Sequence, residues 1–251
     1  VLLEQIAAAP STDTFLGLAG HGPEACFVTL KVGRPARGKA PDELTASRAT
    51  AARRAGCPNL LTLLDAGEID GQPFLAMEHV DGRDLARLST RARKVGLAVP
   101  VGVAAYVVRE IARALNHLHL VGDRRSAATE LGPESVLISF AGEVKVVDLE
   151  LGPPDERVGQ GPQSRWHEFQ APERLADLAF DHRADVYTAG VLLWELLTLE
   201  PLFREEEMVA DNPHLVVSRE TVPAPSTRRR DVPPALDAIV LQALAFDPAK
   251  R

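Results

Sequence analysis

Few side chains in this sequence are placed to do chemistry, and many of those gather around residues 126–152. Two apolar runs there, Val136-Leu137-Ile138 and Val144-Lys145-Val146-Val147, flank an Ala-Gly turn and predict a β-hairpin. Carboxylates stand at both ends, Glu130 before the hairpin, Asp148 and Glu150 after it. A carboxylate can take up a proton or hold a metal ion, so this hairpin is the first place to look for a reaction. Far upstream, a single cation, Lys31, ends the run Val28-Thr29-Leu30-Lys31. His117 and His119 are not read as a metal pair, because residues two apart on a helix face different ways. Cys26 and Cys57 are too few for a disulfide framework, which predicts a reducing cytoplasm.

These residues need elements to hold them. Residues 15–19, 26–32, 60–66 and 73–77 read as short strands, interrupted by one alanine- and arginine-rich helical stretch at 42–55. From Asp81 onward helical patterns dominate. Residues 101–119 carry Val108, Ile111, Ala112, Leu115 and Leu118 at three-to-four spacing, the pattern of an amphipathic helix. Residues 184–199 are apolar on nearly all sides, which predicts a helix buried inside a lobe, and 233–244 gives another helix. A small sheet lobe, a connector around 78–82 and a larger helical lobe is an α+β, two-lobed plan.

In order and spacing the whole chain resembles a bacterial Ser/Thr-type protein kinase domain, with the kinase-like proteins of myxobacteria nearest. Val28-Thr29-Leu30-Lys31 resembles the strand that carries the ATP-pairing lysine. Pro58-Asn59 resembles the segment after the regulatory helix, and Leu75-Ala76-Met77-Glu78-His79-Val80 the hinge, with Met77 as gatekeeper. Ala171-Pro172-Glu173 is an A-P-E; Asp185-Val186-Tyr187, Gly190 and Trp194 resemble the central helix; Asp247 to Arg251 resembles the late arginine motif. The resemblance implies a kinase-like N-lobe over residues 1–80 and a C-lobe over 81–251. It places Glu130 at the catalytic base, Lys31, Asp148, Glu78 and Val80 at the nucleotide, and Asp148 at the metal. It also implies an ion pair between Glu173 and Arg251.

The departures from the family pattern are numerous. The phosphate-covering glycines fall on Ala7 to Thr14, and the helix glutamate that should pair with Lys31 falls on Arg48, or on Glu43 in another register. Glu130 replaces an Asp, Gly132 a lysine, Ser135 the metal-binding Asn, and Leu149-Glu150 the rest of D-F-G. These losses predict a pseudokinase, an inactive signalling module that binds another protein, either a kinase or flanking domains of its own chain. On that reading no cofactor is expected, and ATP and Mg²⁺ stay in doubt. Two alternatives remain open: a weak or unconventional Ser/Thr kinase using Glu130 as base, and an ATP-binding sensor that transfers nothing.

Composition narrows the rest. The 251 residues are 45% hydrophobic and 25% charged, ordinary globular proportions. A net charge of −7 argues against nucleic acid or an acidic membrane as the main partner. No apolar run is long enough to span a bilayer. A chain that opens on Val and stops at Arg251 is expected to be a domain cut from a longer bacterial polypeptide.

Overall fold

The computed structural model describes residues 1–8, 12–20, 22–33, 56–121, 131–147, 166–176, 178–203 and 222–251. Five antiparallel strands form the first sheet: β1 (Leu2–Ala8), β2 (Thr12–Ala19), β3 (Cys26–Gly33), β4 (Leu63–Ile69) and β5 (Gln72–Glu78), in the order β1-β2-β3-β5-β4. The strand predicted at 60–66 runs three residues later, because Leu60 and Leu61 are taken by another strand. The β4–β5 turn is Asp70-Gly71 with φ 52° and 77°, the two-residue hairpin turn that Asp-Gly favours. Strand β1 has no counterpart in the sequence reading. It is exposed on both sides, so no apolar alternation marks it. The helical stretch at 42–55 lies outside the described residues.

A second sheet, β6 (Gly82–Asp84), β7 (Val136–Ser139) and β8 (Val144–Val146), sits among helices. Gly82 is required there, since a Cβ would collide with the Ile138 carbonyl across the β6–β7 pair. Helix α1 (Leu85–Val95) starts at Asp84, whose carboxylate accepts from the Arg87 N–H, and ends at Gly96. Helix α2 spans Val101–Val121, two residues past the predicted end. Two short helices, α3 (Trp166–Phe169) and α4 (Pro172–Leu175), precede α5 (Arg183–Thr198) and α6 (Pro234–Ala243). Helix α5 is buried on nearly all sides, as its largely apolar sequence predicts. Ile111, Val136, Val144, Val191, Trp194 and Val240 sit in the large core it organises.

The two sheets are joined through the segment before β4. The Leu61 N–H donates to the Val146 carbonyl (2.9 Å), and the Val146 N–H donates to the Asn59 carbonyl (2.8 Å). The Asn59 amide donates to Glu110 of α2 (3.0 Å) and to the Val144 carbonyl (3.1 Å). Glu110 is buried, which pushes its carboxyl up, but bonds from Arg109, Asn59 and Arg113 outweigh this and hold it below its ordinary value.

At the far end of the helical lobe the expected ion pair is present. Arg251 donates to Glu173 at 2.5 and 2.9 Å and also reaches the Ala245, Phe246 and Arg183 carbonyls. His119 Nε2 lies 2.7 Å from an Asp185 carboxylate oxygen, so this histidine ties α2 to α5 rather than completing a metal site. Among the described residues, no helix is long and apolar enough to cross a membrane.

Candidate functional site

Strand parity defines the cleft. Residues directly opposed in an antiparallel ladder share a face, so Lys31 lies with Thr14 and Leu75, and Thr29 with Leu16 and Met77. Leu75 and Met77 are both 1% exposed and form a small cluster with Leu61 and Leu63. Against that cluster pack Val80 from the hinge and Leu137 and Val147 from the hairpin. The hairpin obeys the same period of two. Val136, Val144 and Val146 point into the helical core, which leaves Leu137, Lys145 and Val147 on the cleft face. The sheet and the hairpin therefore face each other across an apolar slot, with Lys31 on the sheet wall and Lys145 on the hairpin wall.

The connector from β5 to β6 closes one side of the slot. Glu78 accepts from the Thr62 N–H at 2.7 Å and from Lys145 Nζ at 2.8 Å through one carboxylate oxygen. Thr29 Oγ1 and His79 Nδ1 are hydrogen-bonded at 3.1 Å, and the Phe27 ring stands 6.2 Å from the imidazole. At the start of β7, Ser135 Oγ accepts from the Gly132 N–H (3.1 Å) and donates to its carbonyl (2.9 Å). The hydroxyl thus closes the turn before the hairpin.

Of the residues singled out from sequence, Lys31, Glu78 and Val80 fall on the described elements around this slot. Glu130 and Asp148 lie outside the described residues, as do Arg48, Glu43, Leu149, Glu150 and three positions of the phosphate-covering segment, Ala9, Pro10 and Ser11. That segment lies between β1 and β2 in the chain. Lys145 was not singled out. The available signal was a lone charge inside an alternating apolar strand, on the face opposite Val144 and Val146.

The donor set suits an adenine nucleotide. Val80, Leu137 and Val147, only partly buried, offer apolar surface to a flat base, the connector offers backbone groups to its edge, and Lys31 offers a cation to phosphate. Ser135 keeps its hydroxyl for the turn.

The sequence matches the protein kinase domain family over residues 24–251, and the chain belongs to that family. The serine/threonine-protein kinase PknE of Mycobacterium tuberculosis is 32% identical over 197 residues, 77% of this chain and 33% of that protein. The tyrosine-protein kinase MasK of Myxococcus xanthus is 27% identical over 263 residues, 100% of this chain and 40% of that protein. The chain spans well under half the length of both relatives. The crystal structure of the Mycobacterium tuberculosis PknI kinase domain superposes with a TM-score of 0.71 at 25% identity, covering 100% of this chain and 89% of that one.

These likenesses confirm the protein kinase fold, with its sheet-rich N-lobe and helical C-lobe. They overturn the expectation of an inactive, non-enzymatic module, because the relatives that match along the chain are named protein kinases. They also displace the expectation of no cofactor, since the family implies ATP and Mg²⁺. Counting departures treats each replaced residue as a lost function. The described parts show what each residue does in the frame: Ser135 braces the loop it belongs to, and Lys31 keeps its place on the cleft face of the central strand.

Proposed function

We propose that this domain is an ATP-dependent protein kinase that phosphorylates serine or threonine hydroxyls of a protein substrate. The observation that carries the reading is Lys31, held on the cleft face of β3 opposite Leu75 and beside the apolar slot. Glu78 and Val80 would hold the base edge through the connector backbone, Lys31 would hold the phosphates, and Asp148 would hold Mg²⁺, which would offset the charge of the phosphates. Bound ATP supplies the phosphoryl group and leaves as ADP. The Glu130 carboxylate takes the proton of the acceptor hydroxyl. Its extra methylene displaces the base by roughly 1 Å relative to an aspartate, and a misplacement of that order costs about 10²-fold in rate. The reading therefore predicts a slow kinase.

Transfer of radiolabelled phosphate from ATP with Mg²⁺ to mixed serine, threonine and tyrosine peptides tests it. Incorporation into serine or threonine peptides, lost in Glu130→Gln and in Lys31→Ala, is the expected result. No incorporation by the wild type, or incorporation that survives both substitutions, rejects it. Label confined to tyrosine peptides rejects the choice of acceptor alone.

A further inference from the structure

Lys145 is a charged side chain on the cleft face of the hairpin, directly opposite Leu137 and two residues before Val147. Its side chain is 14% exposed, and its ammonium lies 2.8 Å from Glu78 Oε1. The same oxygen accepts from the Thr62 N–H, while the Glu78 N–H donates to the Thr62 carbonyl. Glu78 is thereby fixed twice to Thr62, the residue just before β4, and once to β8. It is also the last residue of β5, where the chain leaves the sheet for the connector.

We propose that Lys145 is a positioning residue for nucleotide binding, acting through Glu78. The inference rests on the kinase reading above. Three physical points support it. Without the lysine, a partly buried carboxylate loses its only described cationic partner and turns toward water, releasing the Thr62 N–H. Glu78 then holds the connector from one lobe instead of two. Lys145 also lies on β8 of the second sheet, so the bond ties the end of β5, where the connector begins, to the hairpin. Lys145 touches no reacting atom; its effect falls on where the connector backbone sits when the nucleotide arrives.

The test is steady-state kinetics with Mg-ATP and a peptide varied separately, on wild type, Lys145→Met, Lys145→Arg, Glu78→Gln and the Lys145→Met/Glu78→Gln double variant. Losing a hydrogen bond to a charged group should raise the KM for ATP about tenfold in Lys145→Met. An interaction made equally in ground and transition state leaves kcat within about twofold, and the peptide KM should not move. Lys145→Arg should restore most of the ATP KM, and the double variant should be no worse than Lys145→Met. Amide exchange at Thr62 should quicken in Lys145→Met without nucleotide. An unchanged ATP KM in Lys145→Met, with normal wild-type binding, overturns this inference alone. Equal losses in kcat and the ATP KM, unrescued by arginine, also overturn it and leave Lys145 a plain stabilising residue. Failure of the wild type to bind Mg-ATP overturns the kinase reading and this inference together.

Discussion

At the scale of single residues the clearest case is Arg251. Its side chain is fully buried, its guanidinium faces Glu173 in a two-toothed pair, and its remaining donors meet backbone carbonyls. The Tyr187 ring lies 4.9 Å from it. Removing one member of a buried pair leaves the other uncompensated, at a cost of about 3–5 kcal/mol. Arg251→Ala and Glu173→Ala should each lower the urea unfolding free energy by that order, and the double variant should lose less than the sum. Arg251→Lys should rescue little, because an ammonium cannot span two carboxylate oxygens and three carbonyls. This pair was legible because both partners sit in short motifs of fixed spacing. Asp181 was not legible. Arg183, two residues on, binds its carboxylate and holds the pKa down to about 2. The unfolded value is about 3.9, so this contribution is complete above roughly pH 5 and disappears as pH falls toward the folded value. Asp181→Asn should flatten that part of the acid limb in unfolding midpoints measured against pH.

At the scale of elements, what the sequence disclosed depended on burial. Helices α2 and α5 were readable because one has a clear apolar stripe and the other is apolar on nearly all sides. The exposed strand β1 and the three-residue β6 had no pattern to read. The slot was half legible. Lys31 and the connector came from motifs, whereas the Lys145–Glu78 bond joins residues 67 apart, and nothing local announces such a pairing. Gly190 shows how closely elements approach. A Cβ there would stand 2.9 Å from the Ala243 Cβ and 3.2 Å from Leu244, where α5 meets α6. Gly190→Val should force those helices apart and cost about 1–3 kcal/mol, read as a lower melting temperature with little change in helical circular dichroism.

For the whole molecule, the kinase reading carries a linkage consequence. A ligand at about a hundred times its Kd adds about 2.7 kcal/mol, several degrees in a domain of this size. ATP with Mg²⁺ at millimolar concentration should raise the melting temperature by that order, ATP with EDTA by less, and neither should move Lys31→Ala. The chain's charge of −7 adds an opposing influence, since an acidic protein repels an anionic nucleotide at long range. The Mg-ATP shift should therefore be larger at physiological salt than at very low salt, within the range where screening does not weaken the Lys31 contact.

The bonds between the segment at 59–61 and β8 bear on how the protein is made. Asn59 and Val144, which they bring together, are 85 residues apart along the chain. A ribosome adding about 5–20 residues per second takes on the order of ten seconds to supply the second partner. Until then Leu60, whose side chain belongs to the large helical core, and the Asn59 amide lack their partners. A fragment ending at residue 81 should thus fail to fold by itself, and the lobes, distinct in shape, should appear as one cooperative unit during synthesis.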